Sequence, residues 1–355
     1  MKVSRSQLTK IAWITLAWTI ISLFEYFIRY GVLVEYGFAS QVDVMIPFKA
    51  SLITGIMAGI LGGGATVFLW EKWLRSRPYG WTLRNTLITF SLIFTFVSFV
   101  TTCFFQSQRM GLPVYRAEVL SNVVERMVSP TTLVPFFTWL SVSVLTVIAM
   151  LVNDKYGPGV FRKFLLGRYF NPSREERIFM FLDLRSSTTI AEELGEERYF
   201  SFLRDVFKFS TPAILQNEGE IYQYVGDEIV ISWELEKGKR DAHCIHCFFD
   251  IQQALNEKRE YFLSTYGHQP DFKAGVHYGH VMAGEIGIVK REIAFSGDVL
   301  NTAARIQAKC NELGVNILTS KSLIDLIAPL NQFQPEEIGS IELRGKKQTV
   351  TLFTV

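Results

Sequence analysis

The chain has 355 residues, which is room for two or three domains. A net charge of +2, with basic residues scattered rather than striped, excludes a nucleic-acid-binding module and gives no reason to expect a polyanionic partner. Hydrophobic residues make up 49% of the chain, high for a water-soluble protein, and every long apolar run falls within residues 1–152.

In chain order, apolar runs occupy residues 11–28, 52–70, 86–105 and 132–152. Each approaches the roughly 20 residues that cross a bilayer as a helix. Four in succession, with aromatic residues at their ends, predict a four-helix transmembrane domain over residues 1–152 in contact with membrane lipid. No clear small-residue cleavage site follows the first run, so it reads as a span and not as a removable signal. Lys2, Arg5 and Lys10 precede the first span; Lys72, Arg75, Arg77 and Arg84 fill the second connection; Lys155, Arg162, Lys163 and Arg168 follow the fourth. The positive-inside rule then predicts a multi-pass protein of the cell membrane with both termini in the cytoplasm. Glu25 lies inside the first run and is read as solvated near the interface beside Arg29. Gly59, Gly62, Gly63 and Gly64 permit close helix packing, within one bundle or between two. Residues 117–127 have helical spacing and are placed on the outer membrane surface.

Residues 153–176 form a cytoplasmic linker. Gly and Pro breakers open it, and a basic amphipathic stretch at 160–169 suits the inner leaflet. Beyond it a strand is predicted at 177–184, helices at 188–193 and 198–216, and a hairpin of 220–225 with 228–235 about a Gly226-Asp227 turn. A long helix follows at 241–261. Next come a strand region at 271–285 turning near Gly279, a short strand at 292–295, and a helix at 299–312. A strand at 315–319, a helix at 320–327 and a closing pair of strands, 333–343 with 349–355, complete the chain.

Strand, helices, strand, turn, strand is an order that brings the end of the first strand beside the hairpin tip, and with it Asp183 beside Asp227. Two adjacent carboxylates call for a hard divalent cation, and such ions also bind nucleotide phosphates. Taken singly, Asp183 as a helix cap and Asp227 as a turn residue would need no such role.

Three motifs in this order, IFMFLDLRSST, YQYVGDE and FSGDVLNTAAR, resemble the catalytic core of the class III adenylate/guanylate cyclases, here of a membrane-anchored bacterial type. The resemblance spans residues 177–355. It implies an α+β catalytic domain with a ferredoxin-like βααββαβ core, working as a head-to-tail homodimer, that converts a nucleoside triphosphate to its 3′,5′-cyclic monophosphate and pyrophosphate. It implies two Mg²⁺ or Mn²⁺ ions on Asp183, Asp227 and the carbonyl of Leu184. It also casts Asn301 and Arg305 as the catalytic pair for the ribose oxygen and the α-phosphate. These two are four apart, hence on one helix face. Arg344, with Lys346 two residues on, stands where the family has a lysine for the terminal phosphates, and Arg is not equivalent to Lys there.

Base recognition departs from the family. Gln223 replaces the usual lysine of adenylyl cyclases, and Ala294 replaces the usual Asp or Thr. The guanylyl pattern is absent as well. A glutamine amide serves adenine or, swapped end for end, guanine. ATP is the favoured substrate, with GTP, or a catalytically degenerate nucleotide sensor, as the alternative. The HCIHC cluster at 243–247 lacks a second ligand pair at zinc-site spacing and is read as helix core. Cys103 sits in an apolar run, while Cys244, Cys247 and Cys310 lie in the catalytic half and carry no disulfide expectation in a reducing cytosol.

Overall fold

The computed structural model describes residues 5–38, 43–70, 73, 77–156, 167–289, 291–327, 333–342 and 349–355. The chain divides into two compact units, Met1–Lys155 and Tyr156–Val355.

In the first unit, α1 (Arg5–Glu35), α2 (Met45–Ala65), α3 (Tyr79–Met110) and α5 (Leu133–Tyr156) contain the four apolar runs. Each helix outruns its apolar stretch, because polar residues at a helix end keep the backbone bonds intact without needing burial. The amphipathic α4 (Ala117–Val128) sits between α3 and α5 and buries Val119 and Val123 against Cys103. A π-helical stretch, Thr66–Trp70, extends α2. The glycines of α2 serve contact inside the bundle: a Cβ on Gly59 would lie 2.5 Å from the Thr15 Cα of α1. Thr15 can sit at that seam because its hydroxyl donates back to the Ile11 carbonyl at 2.8 Å. Trp18, Trp70, Phe90 and Trp139 form the centre of this core. Glu25 pairs with Arg29 one turn along α1, as its position beside that residue suggested.

The second unit is a mixed sheet ordered β2-β3-β1-β4-β6-β8-β7, with β5 paired to β4. β1 (Ser173–Leu184) lies antiparallel between β3 (Glu228–Glu234) and β4 (Phe272–Ile286). Residues 178–182 are buried, since both faces of β1 are covered. Ile178, Met180 and Leu182 face the core with α7 (Glu196–Gln216) and α8 (His243–Asn256). Phe179 and Phe181 face the other way, towards Val299 and Ala303 of α10 (Asp298–Ala308). Between β1 and α7 lies α6 (Ser187–Leu194), β2 is Glu220–Val225, and α9 (Arg259–Tyr266) follows α8. The run β1-α6-α7-β2-β3-α8-β4 with this strand order is the expected ferredoxin-like core. β5 (Glu292–Ser296), β6 (Ile317–Ser320), α11 (Lys321–Ile327), β7 (Glu336–Glu342) and β8 (Thr349–Thr354) complete the unit.

Two expectations change in detail, and the reading of the HCIHC cluster as helix core holds. The strand region before β5 does not turn at Gly279: β4 runs unbroken for 15 residues. The single helix expected over 241–261 breaks after α8 at Glu257-Lys258, and the chain restarts as α9. Cys244 and Cys247 of the HCIHC cluster are fully buried in the α8 core. Gly275 on β4 sets how closely α10 approaches the sheet, since a Cβ there would lie 2.2 Å from the Gln307 backbone nitrogen.

His277, on β4, is held below the usual imidazole range, at about 4, by burial, which the charge of Asp298 only partly opposes. Its Nδ1 hydrogen-bonds the Ser320 hydroxyl at 2.7 Å. Between pH 6.5 and about 4 the unfolded chain therefore binds a proton that the folded chain refuses. Stability is full above pH 6.5 and is lost as pH falls through that window. His277→Gln, which cannot titrate, is expected to flatten this part of the pH profile of thermal unfolding. An unchanged profile would remove His277 as its cause.

Candidate active site

The site is built where β1 ends. Antiparallel register sets Asp183 opposite Glu228 on β3 and opposite Lys273 on β4. Asp227 immediately precedes Glu228 in the hairpin turn, which Gly226 makes possible with a φ of +63°. The expected neighbourhood of Asp183 and Asp227 is visible through two groups that feel both. The Glu228 carboxyl is pushed up to about 7 by burial and by the charges of Asp183 and Asp227, with Lys273 pulling the other way. The Tyr199 hydroxyl is raised by burial, then by Asp227 and, more weakly, by Asp183.

Two partners hold Asp183 that sequence reasoning did not single out. Lys273 Nζ lies 3.0 Å from Asp183 Oδ2, and Gln307 Nε2 donates to the same oxygen at 3.0 Å. Both contacts come from strand register and helix docking, so no local sequence signal announces them. Glu228 could have been suspected, since it stands inside the GDE motif. Leu184 ends β1 with its side chain buried. The next backbone N–H, of Arg185, donates to the Asp271 carbonyl at 2.8 Å. Ser186 then adopts φ 54°, and α6 starts without a side-chain cap on its first N–H groups.

Asn301 and Arg305 are both exposed on α10. The helix buries Val299, Thr302, Ala303, Ile306 and Gln307. At 100° per residue, Gln307 falls on the side opposite the Asn301–Arg305 edge. One face of α10 thus supports Asp183 from within the protomer. The other presents the amide and guanidinium outward, exposed on the surface of the helix.

Gln223 owes its position to a β-bulge. The β2–β3 register shifts between Ile221 and Gln223. Pairing with Val230 turns Gln223 to the face of Phe179, Tyr222 and Phe295, while its side chain stays exposed. The Phe295 N–H donates to the Tyr222 hydroxyl at 3.3 Å. The neighbours of Gln223 and of Ala294 therefore touch, and the two base-recognition candidates share one corner of the sheet. Ala294 itself pairs with Gly284. Arg344 and Lys346 lie outside the described residues.

Two hard carboxylates with few further protein donors suit Mg²⁺ or Mn²⁺, which keep waters or take phosphate oxygens in their remaining positions. They do not suit zinc. Among the described residues no group of three His, Cys, Asp or Glu side chains is placed to enclose a metal ion. Any ion held by Asp183 and Asp227 would complete its coordination with waters or phosphate oxygens.

Comparison with known proteins places these observations in a lineage. Residues 171–355 match the family described as "Adenylate and Guanylate cyclase catalytic domain". The chain is 34% identical over 209 residues to "Adenylate cyclase 2" of Rhizobium meliloti (strain 1021), covering 59% of this chain and 58% of that protein. It is 28% identical over 189 residues to "Adenylate cyclase" of Anabaena cylindrica, covering 52% and 37% respectively. Less than two thirds of each relative is spanned. The structure of a bacterial light-regulated adenylyl cyclase superposes with a TM-score of 0.52 at 21% identity, over 64% of this chain and 65% of that one, a likeness of fold.

Proposed function

The chain belongs to the adenylate and guanylate cyclase catalytic-domain family, and on that premise we propose that it is a membrane-bound adenylate cyclase, converting ATP to 3′,5′-cyclic AMP and pyrophosphate at sites shared by two protomers. The observation that carries this reading is the division of labour around α10. Asp183 and Asp227 gather at one end of the sheet, while Asn301 and Arg305 face outward on the far side of the helix that braces Asp183. A head-to-tail partner would offer its own Asn301 edge to those carboxylates.

In this account Asp183 and Asp227, with the Leu184 carbonyl, would hold the two divalent ions. Those ions supply Lewis acidity towards the ribose 3′-hydroxyl and countercharge for the triphosphate. Gln307 and Lys273 fix the carboxylate of Asp183, so its aim does not depend on substrate. Asn301 orients the ribose ring through its oxygen. Arg305 meets the charge that builds on the α-phosphate as the O3′–phosphorus bond forms and the bond to the β-phosphate breaks. The first-turn N–H groups of α6 favour the departing anion, and Arg344 and Lys346 are assigned to the terminal phosphates. Gln223 reads the base edge from the bulge on β2.

The membrane part of the proposal rests on four helices long and apolar enough to cross a bilayer, Gln7–Glu35, Met45–Trp70, Gly80–Met110 and Pro130–Ala149. Large apolar side chains such as Trp13, Phe24 and Leu92 are about two-thirds exposed on them, which lipid would cover. Residues 1–152 would be the anchor, 153–176 the connection, and 177–355 the cytoplasmic catalytic domain.

Purified full-length protein with Mn²⁺, offered ATP and GTP separately, is expected to make cyclic AMP from ATP at the higher kcat/KM. Its relatives that carry the name adenylate cyclase favour that outcome. The Gln223 amide, able to present either end, gives the guanylate reading its one specific support. Faster cyclic GMP formation would replace the substrate assignment, and no product from either would replace the enzymatic one.

A further inference from the structure

Within the Met1–Lys155 unit, α1, α2, α3 and α5 enclose a cavity of about 600 Å³. That is the size of sites that take up a drug-sized molecule. Its lining on α1 runs from Trp18 to Leu33, hence about 22 Å of helix. It is a slot along the bundle rather than a spherical void.

The two ends differ. Charged groups line one end, and the structure already occupies them. Glu25 is paired with Arg29, the Asp43 carboxylate accepts from the Met45 and Ile46 N–H groups, and the Arg126 guanidinium lies over the Phe105 ring. Two carboxylates and two guanidiniums leave this end with no net charge to offer a ligand. The other end is aromatic, formed by Trp18, Trp70, Phe90 and Trp139. There the two indole N–H groups have different fates. Trp18 Nε1 donates to the Thr146 hydroxyl at 3.4 Å. Trp70 is fully buried, and its Nε1 has no hydrogen-bond partner among the described residues. A buried donor without an acceptor is costly, and here it belongs to a residue that lines an open slot. The Nε1 has essentially no surface open to a water-sized molecule, so an acceptor from the slot reaches it only by displacing its neighbours.

We propose that this slot binds an uncharged, largely apolar small molecule whose flat or extended body lies among the tryptophans and whose carbonyl-type oxygen accepts the Trp70 indole N–H. No charged group is required of the ligand, because each charge at the polar end already has a partner and together they cancel. A hydrocarbon would gain the apolar contacts and leave the donor unmet. A water at Trp70 would make the ligand's oxygen redundant. The test separates these cases.

Full-length protein in lipid nanodiscs is titrated with 2-acetylnaphthalene and with 2-ethylnaphthalene, a pair matched in shape but for the ketone oxygen. Saturable binding is read above the partitioning into empty nanodiscs. The expected result is one site per chain that prefers the ketone. Trp70→Phe, which keeps a ring and removes the donor, is expected to weaken the ketone about fivefold and leave the hydrocarbon unchanged. Thr54→Trp fills the slot from α2, where the native hydroxyl bonds only its own helix, at the Ala50 carbonyl. It is expected to abolish saturable binding of both. Should Trp70→Phe fail to fold, the native preference for ketone over hydrocarbon and the Thr54→Trp result decide. Partitioning without saturation, equal affinity for the two compounds, a ketone affinity untouched by Trp70→Phe, or unchanged binding in Thr54→Trp would each overturn the proposal. Because binding is the readout, the outcome is independent of whether the catalytic half makes cyclic AMP.

Discussion

Asp227→Ala is expected to lower cyclic nucleotide formation by about a thousandfold or more, with the protein still folded and still in the membrane fraction. The size follows from where Asp227 stands. It occupies a two-residue turn, is not part of the hydrophobic core, and immediately precedes Glu228, the β3 residue opposite Asp183. Its removal leaves the hairpin able to close, because the backbone demand of that turn falls on Gly226. What is lost is half of the charge that would hold the metal–nucleotide complex. Wild-type turnover in this variant, measured with Mn²⁺ and ATP, would contradict the role assigned to Asp227.

Arg177→Met is expected to destabilise the catalytic unit by about 3–5 kcal/mol, the largest stability effect of any single change considered. Arg177 has no exposure and sits at the second unit's most connected point. Its guanidinium donates to Glu175 at 2.9 Å and to Glu220 at 2.8 Å, and reaches the Ser232 hydroxyl and the Tyr169 hydroxyl at 3.3 Å each. The same group lies 4.5 Å from the centre of the Phe295 ring. Burial lowers the proton affinity of the guanidinium, but the charge and hydrogen bond of Glu220, helped by Glu175, raise it beyond the usual arginine range. Methionine would fill the space and leave two carboxylates facing each other without their cation. Replacing Glu220 by Gln in the same chain should restore part of the loss, because the remaining uncompensated charge is halved. Chemical unfolding of the single and double variants measures both effects. A single variant as stable as wild type would show that the network contributes nothing net.

Much of the fold was legible because its signals are periodic. Apolar length gave the four helices, and the GD turn between β-rich runs gave the hairpin. Less legible was whatever depends on a partner element. Residues 173–176 read as polar linker, yet they pair with β4 from His280 to Ala283 and extend β1. Gly279 looked like a turn, but it lies within an unbroken strand that faces Val299 of α10. Asp183 and Asp227 could be named from the order of the elements, and Asn301 and Arg305 from the resemblance carried by their motif. Lys273, Gln307 and the Arg177 network could not, since their roles arise only when strands far apart in sequence come into register. Base recognition was hardest to read because a one-residue bulge, invisible in composition, decides which face Gln223 takes.

The most direct test of a site shared between two chains mixes two inactive ones. Asp183→Ala lacks a metal carboxylate, and Asn301→Ala lacks the ribose partner; each alone is expected to be nearly inactive. Co-expressed in one membrane, they form some pairs with one site that carries both defects and one that carries neither. Cyclic AMP formation should return to a measurable fraction of wild type, at most about one quarter if the chains pair at random and each intact site works independently. Activity no greater than that of either variant alone, with pairing of the two chains verified, would contradict the two-chain site.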